Sequence, residues 1–177
     1  MDPTPDQVAR VLKHVHYEIE SLLLTPQYEQ WNKALEESVY FRKMAHCRVL
    51  YGFFTVAASQ RKNDDVVSED FGFAAEPLYV GDPKPLLARF NKDLFHLSYA
   101  RLERTAITKP WPMETLFTPV CKRSKEFIEH VLTQRHLVMS DTERCLWAAL
   151  KDSTTRQLPL QQNTSNVAER QTTTLNF

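Results

Sequence analysis

Arg89, Lys92, His96 and Tyr99 are spaced so that they could share one reaction surface. At 100° of turn per residue they fall on one side of a helix, and Asn91 stands at its rim. Two cations can hold a phosphate, an imidazole can take or give a proton near neutral pH, and a phenol can orient either. The chemistry this predicts is phosphate binding by Arg89 and Lys92, with Asn91 contributing. His96 would serve as general acid or base and Tyr99 as the orienting group. A solvated polar helix face is the simpler account of the same pattern.

Other candidate groups are weaker. His46 lies in an apolar stripe one turn after Arg42, where an imidazole with one satisfied hydrogen bond is an ordinary core group. Arg48 is about 200° around the same helix from His46, so the two do not serve one site unaided. Asp64, Asp65, Glu69 and Asp70 cluster in one stretch, but lack the ligand spacing of a calcium loop and suit turn and cap positions. His14 and His16 are two apart and point away from each other on a helix. The chain carries no phosphate-binding glycine loop, nucleophile elbow, HExxH or EF-hand pattern. No metal site and no cofactor are expected. A His and carboxylate site joining His46, His96 and the acidic stretch would need opposite helix faces to meet.

The elements that must position these residues read as helices. Thr4-Pro5-Asp6-Gln7 has a capping residue, a proline at the first helical position and a capping-box partner. Val8, Val11, Leu12, Val15, Ile19, Leu22 and Leu23 continue it at three and four spacings to Thr25-Pro26. From about Trp31 to Gln60 the spacing predicts a second helix with Leu35, Val39, Arg42, His46, Leu50, Phe53 and Ala57 inward. Its other side carries Phe41, Met44, Arg48 and Tyr51 and so needs cover of its own. Residues 61–82 break the periodicity and read as a long connector with at most a short helical turn. Asp82-Pro83 opens a third helix running to about Arg104 with Leu86, Phe90, Leu94, Leu97 and Arg101 inward. A fourth begins at Pro112 or Pro119 and ends near Val138, and Ser140 with Glu143 caps a short fifth through Leu150. Beyond Asp152 the chain turns to Thr, Gln, Asn and Ser, as disordered segments do. The fold class expected is all-α: a four- to five-helix up-and-down bundle over residues 1–150, with a disordered tail at 151–177.

Composition agrees. A chain of 177 residues, 42% apolar and 25% charged, can bury one ordinary core without staples, and three glycines leave little material for hairpins. Twenty-two basic residues balance twenty-two acidic ones, so no strong overall field draws nucleic acid or an anionic membrane. The balance is uneven along the chain, because residues 61–82 are acidic and residues 83–138 basic. Cys47, Cys121 and Cys145 are odd in number and far apart, which suits a reducing compartment better than a disulfide framework. The first residues lack a basic-then-apolar leader, and no window approaches eighteen apolar residues. A cytoplasmic protein without membrane contact is expected.

The stretches HCRVLYGFF (His46 to Phe54), RKNDDVVSEDF (Arg61 to Phe71) and FNKDLFHLSYARL (Phe90 to Leu102), followed by Trp111, resemble a family of small uncharacterised bacterial helical proteins. That family pairs an H-x-R-N-L-x-D-F-F helix with a DDV-x-x-EDF connector and an INK-x-x-x-HL-[ST]-Y helix, and the resemblance covers roughly residues 8–135. Broadly it looks like the HEPN-type four-helix bundles, many of which dimerise. Some of these are metal-independent ribonucleases in which four to six residues separate an Arg from the His that follows it. Arg89 with His96, Arg123 with His130 and Arg10 with His16 meet that spacing. Val49 and Gly52 stand where the family pattern has Asn and Asp, and Phe90 follows Arg89 where active members commonly have a polar residue.

The resemblance implies an RNA-binding or metal-independent RNA-cleaving protein. Neutral charge equally suits a non-catalytic interaction module or antitoxin-like partner whose second helix and acidic connector contact protein. The two-sided second helix predicts a homodimer. Circular dichroism of the purified chain is expected to show mostly helix, and limited proteolysis to remove residues after about Asp152 from a folded core. A strand-rich spectrum would contradict this reading.

Overall fold

Thr4 opens the first helix with a complete capping box: its hydroxyl accepts from the Gln7 amide at 3.2 Å, and the Gln7 side chain accepts from the Thr4 amide at 2.8 Å. With Pro5 in the first turn, the orphan donors of that end are reduced and α1 runs from Pro5 to Leu23. A computed structural model describes residues 3–24, 33–62, 64–79, 84–89, 113–134 and 137–156. Its further helices are α2 (Lys33–Thr55), α3 (Lys84–Arg89), α4 (Met113–Thr133) and α5 (Asp141–Arg156), with 3-10 turns at Ala58–Gln60 and Ser68–Phe71. All regular structure among the described residues is helical, as the periodicity predicts.

The helices close on one another in the order α1, α2, α4, α5, and α1 packs again on α5. The core in their middle takes Ile19 and Leu22 from α1, Leu50 and Phe54 from α2, Phe127 and Ile128 from α4, and Trp147 and Leu150 from α5. Phe127 is its hub. Its ring lies within 5.2–6.0 Å of the rings of Phe53, Phe54, Phe71, Phe73 and Trp147, mostly edge to face. Two of those partners, Phe71 and Phe73, belong to the connector, so the same packing that seals the core also fixes the connector's path.

Two expectations change, and one choice left open in the sequence is settled. The buried face of α2 is Met44, Cys47, Leu50, Tyr51, Phe53 and Phe54, whereas Arg42 is exposed and His46 half-buried. Burying Met44 and Tyr51 removes more apolar surface from water than burying a guanidinium and an imidazole would, and the helix is rotated accordingly. α4 starts at Met113, in line with the Pro112 alternative, and Pro119 lies inside it, where it withholds the N–H that the Thr115 carbonyl would normally accept. The fifth helix extends past Leu150 to Arg156, held by a buried Thr154 and a 2.8 Å ion pair from Lys151 to Glu129 on α4. Its start is as read from sequence: the Ser140 hydroxyl accepts from the Glu143 amide at 3.2 Å, and the Glu143 carboxylate accepts from the Ser140 amide at 2.8 Å. Those Ser140 bonds hold the Glu143 carboxyl below the usual range.

Removing the hub ring is expected to cost about 3–5 kcal/mol, the range for truncating a buried aromatic residue. Thermal unfolding of Phe127→Ala measures it; a loss below about 1 kcal/mol would mean that the ring is not the joint between core and connector.

Candidate functional site

Of the residues singled out for chemistry, the structure describes Arg89, which ends α3. Asn91, Lys92, His96 and Tyr99 lie outside the described residues. The Arg89 guanidinium acts on the phenol of Tyr40 in α2, and burial outweighs it, raising the Tyr40 hydroxyl above its ordinary range. One turn further along α2, Lys43 acts on the thiol of Cys121 in α4, as does Lys125 from α4 itself. Arg89 is thus within electrostatic reach of Tyr40, and Lys43 and Lys125 are within reach of Cys121 at the α2–α4 seam. Sequence reasoning misses Lys43 and Lys125, which stand 82 positions apart. The one signal for Lys125 is the positive charge of residues 83–138, and Lys43 lies outside that stretch.

The other candidates are committed to holding the fold. His46 Nδ1 meets the Glu18 carboxylate at 2.7 Å across the α1–α2 seam, and the Tyr17 ring stands edge-on to the imidazole at 5.7 Å. Arg42 donates to the Ser21 hydroxyl at 3.1 Å. His16 Nε2 lies 3.3 Å from the Leu146 carbonyl and its ring is edge-on to Trp147, so it serves the α1–α5 seam, while His14 faces the α2 side. A carbonyl only accepts, which places the His16 proton on Nε2.

Arg123 and His130, which meet the Arg and His spacing, both bind the connector. Arg123 donates to the Ala74 carbonyl at 2.6 Å, pairs with Glu126 at 2.9 Å and Glu76 at 3.3 Å, and lies 3.9 Å over the Phe73 ring. His130 Nε2 donates to the Phe71 carbonyl at 2.8 Å. Arg10 of the third pair reaches Asp6 at 3.8 Å on the surface, away from the His16 bond to α5. Neither of these two Arg and His pairs is brought together as a reactive couple.

The connector acids serve as pins, in keeping with their cap-and-turn reading. Asp70 takes Arg61 at 2.5 Å and the Val67 amide at 3.0 Å, and Glu69 accepts from the Ala58 amide at 2.7 Å. Among the described residues no three His, Cys, Asp or Glu side chains are grouped to hold a metal ion. No described helix is long and apolar enough to cross a membrane. Comparison with protein-family models, with curated proteins and with solved structures finds no match for this chain.

The thiols differ in access. Cys47 is fully buried and Cys121 half-buried, and burial raises both thiols, that of Cys121 to about 12. Thiolate is the reactive form, so both are inert at neutral pH. With Ellman's reagent the native protein is expected to yield one prompt thiol, the exposed Cys145, and two more only on unfolding. Prompt reaction of all three would show that the α2–α4 seam opens readily.

Proposed function

We propose that the protein binds RNA through the face formed by α2, α3 and α4. The observation that carries this reading is a set of cations from three helices, with Arg89 acting on Tyr40 and Lys43 and Lys125 acting on Cys121 at the α2–α4 seam. A chain of zero net charge gains no long-range attraction for a polyanion, so phosphate binding requires a local basic surface, and the Tyr40 ring supplies a plane on which a base can stack. Lys92, His96 and Tyr99 follow Arg89 in sequence and extend the same proposal. Lys92 and Asn91 would add phosphate and sugar contacts, and His96, oriented by Tyr99, would act as general acid or base if the bound strand is cleaved.

Fluorescence anisotropy with a labelled single-stranded RNA at low salt tests it. The wild type is expected to bind with a clear salt dependence. Lys43→Ala with Lys125→Ala should weaken binding and reduce the logarithmic salt slope by roughly 0.7 for each phosphate no longer neutralised. Any cleavage should survive a chelator and fall about a hundredfold or more in His96→Ala. Absence of binding at low salt overturns the reading, and cleavage unchanged in His96→Ala overturns the catalytic part.

A second reading, a protein-interaction module that pairs with a copy of itself, is favoured by a different surface. Tyr17 is 53% exposed, Phe41 45% and Val49 52%, and together with the Glu18–His46 pair they belong to the outer side of α1 and α2. Met44, which the sequence pattern puts on that surface, is 0% exposed and belongs to the core. Sedimentation is expected to give about twice 20.7 kDa. Phe41→Glu with Val49→Glu should release folded monomers, while Met44→Glu should unfold the chain. A wild type that is monomeric at micromolar concentration contradicts the pairing.

A further inference from the structure

The connector does not lie flat on the bundle. Between its residues 62 and 64–67 and the adjoining sides of α1 and α2 is a cavity of about 590 Å³, with one wall of valines and Phe53 and charged residues around the rest. Arg48 projects into this wall from α2. Its Nε is buried and has no hydrogen-bond partner among the described residues. That atom is closed to solvent and does not itself face the cavity; the Nη1 end of the guanidinium lies beside Gly52, which is in the cavity's lining. The buried Arg123 also leaves its Nε unbonded, but that guanidinium has two carboxylates, a carbonyl and an aromatic face around it. Arg48 is different in kind.

Gly52, one turn after Arg48, lies against the guanidinium. A Cβ at position 52 would stand 3.4 Å from Arg48 Nη1. The nearby acids are otherwise engaged or at the mouth: Glu18 is taken by His46, and Asp65 accepts from the Lys62 amide at 3.4 Å at the exposed rim. Arg48 and Lys62 beside a wall of valines, Leu50 and Phe53 fit one chemistry well, a single carboxylate on an apolar body. The surrounding Glu18, Asp64 and Asp65 carboxylates also line the cavity and disfavour a ligand with two or more negative charges.

We infer that this cavity is a binding site for a small amphipathic monocarboxylate, whose carboxylate accepts from Arg48 while its apolar body lies against Val15, Val49, Phe53 and Val56. The site is separate from the basic face proposed for RNA, and its test requires no RNA.

Octanoate is a suitable probe, with octanol as its uncharged counterpart and inorganic phosphate as a multiply charged control. Titration of the full ¹⁵N-labelled chain should saturate with octanoate at millimolar concentration or below and shift the Arg48 Nε–Hε signal. Octanol should bind at least tenfold more weakly, and phosphate should leave that signal in place. Arg48→Met should retain the apolar cavity but bind the two probes equally. Gly52→Asp should place an internal carboxylate beside Arg48 and exclude octanoate while the helix signals persist; should that variant fail to fold, Arg48→Met alone decides. Absence of saturation by octanoate, equal affinity for octanoate and octanol in the wild type, or a preference that survives Arg48→Met would each overturn the assignment.

Discussion

Most of the structure depends on how the Phe127 ring is enclosed. Four packed helices could bury their apolar stripes without any help from residues 61–79, yet Phe71 and Phe73 leave the connector to pack on Phe127. Polar bonds then fix what the rings begin: His130 holds the Phe71 carbonyl, Arg123 holds that of Ala74, and the Glu76 amide donates to the Phe54 carbonyl at 3.0 Å. An unpaired backbone carbonyl beside a core is expensive, so a connector drawn in by its aromatic residues must bring partners for its peptide groups. Two basic side chains of α4 supply them. They are therefore part of the fold's framework and are unavailable for chemistry.

This dependence explains which parts of the molecule can be read in the sequence. Both capping boxes are legible because a cap is made by residues three apart, and both are present at Thr4 and Ser140. The apolar phase of α1 is legible because its outer face is polar. In α2 it is not, since apolar residues occur all around that helix. A 3.6-residue period cannot choose between two apolar sides when one packs on α1 and α4 and the other carries Phe41 and Val49. The periodicity therefore places His46 and Arg42 inward and Met44 outward, and the Glu18–His46 and Ser21–Arg42 bonds show the first two at the rim of the α1–α2 seam instead. Arg123 and His130 have a spacing suggestive of catalysis, but their partners are 49 and 59 residues away, beyond any local pattern.

The same separation applies to function. Lys43 and Lys125 come to act on one thiol only when α2 and α4 pack, and Arg48 becomes notable only when the connector closes over it. The charge asymmetry of the chain points toward its second half without identifying Lys43, which belongs to the first. The molecule thus presents three unlike surfaces: a basic side at the α2–α4 seam, an apolar outer side on α1 and α2, and a chamber under the connector. In each, the residues that matter are those that the packing leaves over after Phe127 and its partners are satisfied.

The central claim is that the basic side is where RNA meets this protein, and hydrogen exchange with and without a single-stranded RNA tests it most directly. Slowed exchange in the α2 segment around Lys43, in α3 and in the α4 segment around Lys125, with the outer side of α1 unchanged, is the predicted result. Protection confined to α1 and the Val49 side of α2, or no protection at an RNA concentration sufficient for binding, would contradict it.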